Sequence, residues 1–236
     1  MLTKRLLIVI SLFLSGLGLF VFGRSLWYPL YIKANGGKTV AEVVTALRAK
    51  RITDFDPTHW QRLILLGLKE EKTLEVWGIH RDGSAQKIHD FPFTGFSGGP
   101  GPKLREGDGQ IPEGIYRIEY MNPNSSYHLS LKLDYPNDYD REKGVKDGRA
   151  KLGHDIFIHG RSATIGCIPI GNTGIEELFL MVAEMGKEKV EVILAPYNMR
   201  TRSKRIEVEG IDWEEELHST VKEAILNKIP QDGIAR

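Results

Sequence analysis

The chain opens with its longest apolar run. Leu6 to Gly23 (LLIVISLFLSGLGLFVFG) is eighteen residues without a charge, preceded by Lys4 and Arg5. At about 1.5 Å per residue it reaches about 27 Å, close to the hydrocarbon thickness of a bilayer. The exit sequence Phe22-Gly23-Arg24-Ser25 lacks a small-x-small cleavage pattern, and Trp27 and Tyr28 suit the interfacial aromatic belt. The run therefore reads as an uncleaved N-terminal membrane anchor in preference to a signal peptide. Lys4, Arg5 and the amino terminus on one side are balanced by Arg24, Lys33 and Lys38 on the other, so charge sets no orientation.

Beyond the anchor the pattern becomes globular. Thr39 to Lys50 has apolar residues at Val40, Val43, Val44 and Leu47, the spacing of a short amphipathic helix. From Thr73 the chain turns to strands and turns, beginning with LEVWGI. Tyr127 to Tyr135 alternates cleanly, with Leu129, Leu131 and Leu133 on one face and His128, Ser130, Lys132 and Asp134 on the other. Asp155 to His159 is a short strand candidate, and Lys189 to Leu194 a returning one. Thr173 and Glu176 have capping-box spacing, and Ile175, Leu178, Phe179, Val182 and Met185 recur at helical intervals until Gly186. Asp212 to Lys228 reads as a terminal amphipathic helix with Leu217, Val221 and Ile225 four apart and Glu214, Glu215 and Glu216 in its dipole-favoured first turn. The stretch Ser97 to Pro102 (SGGPGP) lacks the Lys-Ser/Thr of a phosphate-binding loop and reads as a flexible connection.

Composition narrows the classes. In 236 residues, 27% charged residues and 41% hydrophobic ones describe a folded chain with room for one catalytic-size domain plus appendages. A net charge of +1 supplies no field to recruit nucleic acid. The lone cysteine, Cys167, excludes an internal disulfide and a multi-cysteine metal site.

Chemistry gathers in His154 to Asn172 (HDIFIHGRSATIGCIPIGN), where a histidine ends a predicted strand and a cysteine follows eight residues later in a loop of small residues. Nucleophilic cysteine catalysis needs a thiol with an imidazole to take its proton. Gly166 lets the backbone turn tightly before Cys167, so that consecutive N–H groups can face a developing oxyanion. The competing readings are a small buried cysteine and a metal site on His154 and His159; on one strand the odd separation of those two sends them to opposite faces, against a shared metal.

These residues resemble a known family. His159-Gly160 followed by Thr164-Ile165-Gly166-Cys167-Ile168, with Asn172 five residues after the cysteine, resembles the signature of the L,D-transpeptidase catalytic domain, the YkuD type. Gly107 to Tyr116 (GDGQIPEGIY) is similar to the family's Gly-Asp and Pro-Glu-Gly segment. Asn122 to Tyr127 and Tyr135 to Arg141 resemble its YafK-like branch. Pro169 stands where many members carry an arginine, and the histidine–cysteine gap is shorter than in many; both departures also resemble that branch.

The resemblance implies a mainly β catalytic domain with flanking helices (α+β) and a β-sandwich-like core over 70–197. A membrane anchor over 1–23, a linker with short helices over 24–69 and a C-terminal helical extension over 198–236 would surround it. It implies Cys167 as nucleophile, His159 as base and then acid, the Gly160 carbonyl as orienter of the imidazole, and Gly166 with Ile165 and Thr164 as the oxyanion loop. Tyr127, His128, Arg161 and Asn172 are the candidate substrate-lining residues. The implied partners are a peptidoglycan stem peptide and a lipoprotein attached to peptidoglycan, with the inner membrane met through residues 6–23 and the catalytic domain in the periplasm. No cofactor, metal or nucleic acid is called for. Acyl transfer, hydrolysis of the same amide, and a non-catalytic wall-binding module remain the alternatives, with a generic cysteine protease last.

Overall fold

The computed structural model describes residues 31–229. The anchor expected over Leu6–Gly23, with Trp27 and Tyr28, lies outside the described residues; among those described, no helix is long and apolar enough to cross a membrane. The described residues divide into two units between Val43 and Val44. The boundary falls within the expected amphipathic helix, α1 (Val40–Ala49). Its start is a capping box: the Thr39 N–H donates to Glu42 Oε2 at 2.8 Å and the Glu42 N–H donates to Thr39 Oγ1 at 3.2 Å.

The second unit is built on strands β1 (Arg62–Leu68), β2 (Thr73–Ile79), β3 (Ala85–Pro92), β4 (Gly114–Ser125), β5 (His128–Leu133), β6 (Phe157–His159), β7 (Ile168–Pro169) and β8 (Val190–Ala195). They form one mixed sheet of eight strands in the order β3-β2-β1-β8-β4-β5-β6-β7. The β1–β8 and β6–β7 pairs are parallel and the others antiparallel. The expected sandwich-like core is therefore a single hydrogen-bonded sheet whose two halves share β4. Residues Gly114–Arg117 of β4 pair with β8, and from Ile118 onward it pairs with β5.

Strand β1, which the sequence pattern leaves within the linker, is one of the central strands. Its run RLILLGL is apolar on both faces and buried from Leu63 onward, so it shows none of the alternation that marks a half-exposed strand. Ile64, Leu66 and Leu68 share a core with Trp77, Ile193 and Ala195, and that face is covered by α4 (Glu214–Lys228) through Leu217, Val221 and Ile225. The helix after the cysteine loop, α3 (Gly171–Met185), packs on β5 and β6 and buries Ile175, Leu178, Phe179 and Val182. It starts two residues before the expected Thr173 cap, with the apolar Ile170 at its N-cap and so no side-chain cap, while Glu176 bonds to His128 and Lys50. The remaining helix, α2 (Asp138–Lys146), opens with an Asn137–Asp140 capping box.

The Gly/Pro stretch read as a flexible connection is tied down. The buried Lys69 ammonium donates to the carbonyls of Gly101 at 2.7 Å and Ile111 at 2.8 Å and to Glu113 Oε1 at 2.9 Å. Glu113 also accepts the Gly101 N–H at 2.7 Å and holds His218 of α4 at 2.8 Å. Burial works to raise the Glu113 carboxyl, but the facing Lys69 charge and the His218 hydrogen bond hold it below the usual carboxylate range.

Candidate active site

The strand ending at His159 and the loop carrying Cys167 meet through a short parallel ladder, with Ile158 beside Ile168 and His159 beside Pro169. The ladder places both functional side chains on one cleft of 490 Å³, whose lining includes Tyr127, Ser130, Asp155, His159, Thr164 and Cys167. Buried His159 directs its Nδ1 to the Gly160 carbonyl at 2.5 Å. That acceptor fixes Nδ1 as the protonated nitrogen and leaves Nε2 with the free lone pair. The Tyr127 ring, at the tip of the β4–β5 hairpin, lies 4.6 Å from the imidazole and holds its other side.

Glycines make room for this arrangement. A Cβ on Gly160 would sit 2.6 Å from the Tyr127 carbonyl and 2.8 Å from Asn172 Oδ1. Gly166, at φ +94°, has the Gln110 carbonyl 2.7 Å from where a Cβ would be. The loop between them is strapped on three sides. The Arg161 N–H donates to Asn172 Oδ1 at 2.9 Å, Thr94 Oγ1 donates to the Arg161 carbonyl at 2.5 Å, and Thr164 Oγ1 donates to the Cys167 carbonyl at 2.7 Å.

At rest the pair is neutral. Burial pushes the Cys167 thiol up, and the Asp155 charge adds to this against the lowering influence of the Phe157 backbone. Its Sγ contacts the Asp155 carbonyl at 3.6 Å. Burial also depresses the His159 imidazole, only partly opposed by its bond to Gly160. With the thiol shifted up and the imidazole shifted down, burial favours the neutral form of each.

A family model for the L,D-transpeptidase catalytic domain (YkuD) matches residues 61–193. The chain belongs to this family. It is 34% identical over 136 residues to YafK of Escherichia coli K12, an alignment covering 56% of this chain and 52% of that protein, and equally to YafK of strain O157:H7. The chain thus spans about half the length of the curated relatives it matches. Among solved structures, the helical cell shape determining protein Pgp2 of Campylobacter jejuni is 22% identical with a TM-score of 0.47, covering 79% of this chain and 62% of that one. Bd1075 of Bdellovibrio bacteriovorus is 18% identical with a TM-score of 0.43, covering 70% and 55%.

Within this L,D-transpeptidase domain, Cys167, His159, Thr164, Ile165 and Tyr127 all line the cleft. Other candidates fall elsewhere. His128 turns to Glu176 of α3, 2.8 Å away, and does not line it. Asn172 and Arg161 bond to each other and shape the loop. The Gly166 N–H, expected in an oxyanion hole, donates instead to Ser97 Oγ at 2.8 Å and so is already engaged. His154 leaves the strand altogether and pairs with Asp155 at 2.7 Å; among the described residues no cluster of three His, Cys, Asp or Glu side chains could hold a metal. Sequence reasoning missed Ser97, Ser130 and Asp155. The alternation of β5 placed Ser130 on a polar, outward face, whereas it is buried at 2% exposure; only the pairing of β5 with β6 reveals that this face is the cleft floor.

Proposed function

We propose that this chain is a cysteine acyltransferase of the L,D-transpeptidase type, acting on peptidoglycan stem peptides in cell-wall remodelling or protein attachment. The observation that supports the reading most is the Nδ1 bond of His159 to the Gly160 carbonyl, which leaves Nε2 as a base in the cleft that Cys167 lines. In this mechanism the Cys167 S–H proton passes to His159 Nε2 as sulfur attacks the carbonyl of an amide at the L-centre of a diaminopimelate-type residue. The tetrahedral oxyanion meets the Cys167 N–H, the Gly166 N–H being engaged with Ser97. The C–N bond then breaks, the leaving amine takes the proton from His159, and a thioester remains. An acceptor amine yields a cross-link or an attached protein; water yields hydrolysis, the route by which a lipoprotein would be released from peptidoglycan. The reading places the domain in the periplasm behind the anchor of residues 6–23.

Incubation of the purified full-length chain with muropeptides, with and without an added amine acceptor, followed by mass spectrometry, tests the proposal. Expected is a thioester adduct on Cys167 and exchange or loss of the terminal residue, both absent in Cys167→Ala. Unchanged muropeptides and an unmodified Cys167 in every combination would leave a non-catalytic wall-binding module as the better account.

A further inference from the structure

One polar group in the cleft has no role in the reaction just described. Ser130 is 2% exposed, and its Oγ has no hydrogen-bond partner among the described residues. A buried hydroxyl left unpaired is unfavourable relative to alanine in the resting fold, so its presence asks for a state in which it is paired.

The sheet register names the neighbours. Ser130 of β5 is opposite His159 of β6 and opposite Asn122 of β4. The Gly160 N–H donates to the Leu129 carbonyl at 3.2 Å, which makes Ser130 and His159 a non-hydrogen-bonded antiparallel pair, the kind with the shortest spacing between side chains. Asn122, Ser130 and His159 thus form a polar row across three strands, and all three line the cleft. Because the Ser130 oxygen is closed to solvent, a substrate reaches it only through a neighbour, and the neighbour on the catalytic side is the imidazole.

We propose that Ser130 is a positioning residue for the charged form of His159: when the ring holds the Cys167 proton, the hydroxyl turns the negative end of its dipole to the imidazolium ring, leaving Nδ1–H on Gly160 and Nε2–H for the leaving amine, and turns its own proton to Asn122 Oδ1. Asn122 Oδ1 already accepts the Asn124 N–H at 3.0 Å and has a second lone pair for this bond. The proton balance of the reaction is unchanged, since Ser130 keeps its proton throughout. Catalytic hydrogen bonds that are long in a resting site commonly tighten as the reaction begins. Other ionisable groups around the ring are accounted for: Tyr127 lies tilted against it, Cys167 lines the same cleft with its Sγ on the Asp155 carbonyl, Asp155 is paired with Lys132 and His154, and His128 with Glu176. The inference rests on the proposed function for its catalytic consequence, while its electrostatic part does not.

The test is the titration of His159 followed by NMR in the isotopically labelled full chain, compared among wild type, Ser130→Ala and Ser130→Thr. Ser130→Ala is expected to leave the melting temperature equal or higher and to move the His159 midpoint down by about one pH unit, with Ser130→Thr restoring it. An unchanged His159 midpoint in a folded Ser130→Ala protein overturns the proposal, as does a lowered melting temperature with no change in titration, which is the mark of a structural serine. In the muropeptide assay the acid limb of kcat/KM is expected to follow the NMR shift. If wild type turns over no muropeptide, the functional reading fails, and the NMR comparison still decides the role of Ser130.

Discussion

Cys167 and His159 rest as thiol and neutral imidazole, and this has a measurable pH signature. Burial lowers His159, so the base form persists further into acid than an ordinary histidine allows, and burial raises Cys167, so the thiol persists further into alkali. The kcat/KM profile is expected to be a broad plateau with its acid limb below the usual histidine range. Alkylation of Cys167 by iodoacetamide, rated against pH, should climb only above the ordinary thiol midpoint; a midpoint well below it would contradict the neutral resting pair. Gly160 makes a second prediction at this scale. Its missing Cβ leaves space claimed by the Tyr127 carbonyl and Asn172, both held by the strand and loop around them. Gly160→Ala should lower stability by about 1–3 kcal/mol in urea melts and reduce turnover by displacing the carbonyl that orients His159. The family-like residues His159-Gly160 and Gly166-Cys167 pointed to one site in the sequence, and in the fold His159 and Cys167 line one cleft. Ser97 was not legible, because its hydroxyl reaches Gly166 across a sequence separation of 69 residues that no local pattern encodes.

Among the elements, helices α1, α3 and α4 were legible from a single buried stripe and β5 from its alternation, whereas β2 and β8, buried on nearly every residue, were legible as short runs of β-branched and aromatic residues. β1 was not, because its Leu-rich run offers neither alternation nor a β-branched signature, and the α3 cap failed because the helix begins at Gly171 with the apolar Ile170 at its N-cap. The loops before β4 depend on buried charge. Lys69→Met would leave Glu113 ionised and without its main partner, and is expected to destabilise the fold by about 3–5 kcal/mol, with Lys69→Met/Glu113→Leu recovering part of the loss; urea melts of the single and double variants check this. Asp140 at the start of α2 behaves in the opposite sense. Burial raises its carboxyl to about 6 from 3.8, so the native state binds a proton that the unfolded chain has released. Its contribution is therefore fully present below about pH 4 and is lost as pH rises through about 6. Asp140→Asn should flatten the fall in stability across that window, an effect on the order of 3 kcal/mol in the difference between its ends; thermal melts at several pH values measure it.

At the scale of the molecule, a mainly β domain with flanking helices was legible, and the single mixed sheet and its strand order were not. Periodicity tells which residues face inward but is silent on which strand lies beside which, and here the neighbours are far apart in the chain: β1 sits beside β8, and β8 beside β4. The α4 face shows how much the C-terminal segment contributes. Leu217 is 3% exposed within the core shared with Ile64 and Ile193, and Leu217→Ala is expected to lose about 2–5 kcal/mol of stability, read from urea melts.

The position of β8 also sets an order of events for a chain emerging from a ribosome or a translocation channel. Until Val190–Ala195 is available, β1 lacks its parallel partner and β4 lacks the strand that joins it to the first half of the sheet. The cysteine, the histidine and their loop all precede that strand in the chain, yet the two halves of the sheet stay unconnected without it. A product ending before Val190 would therefore carry every residue of the cleft and expose two apolar strand edges, making it a substrate for proteolysis and aggregation rather than a smaller enzyme.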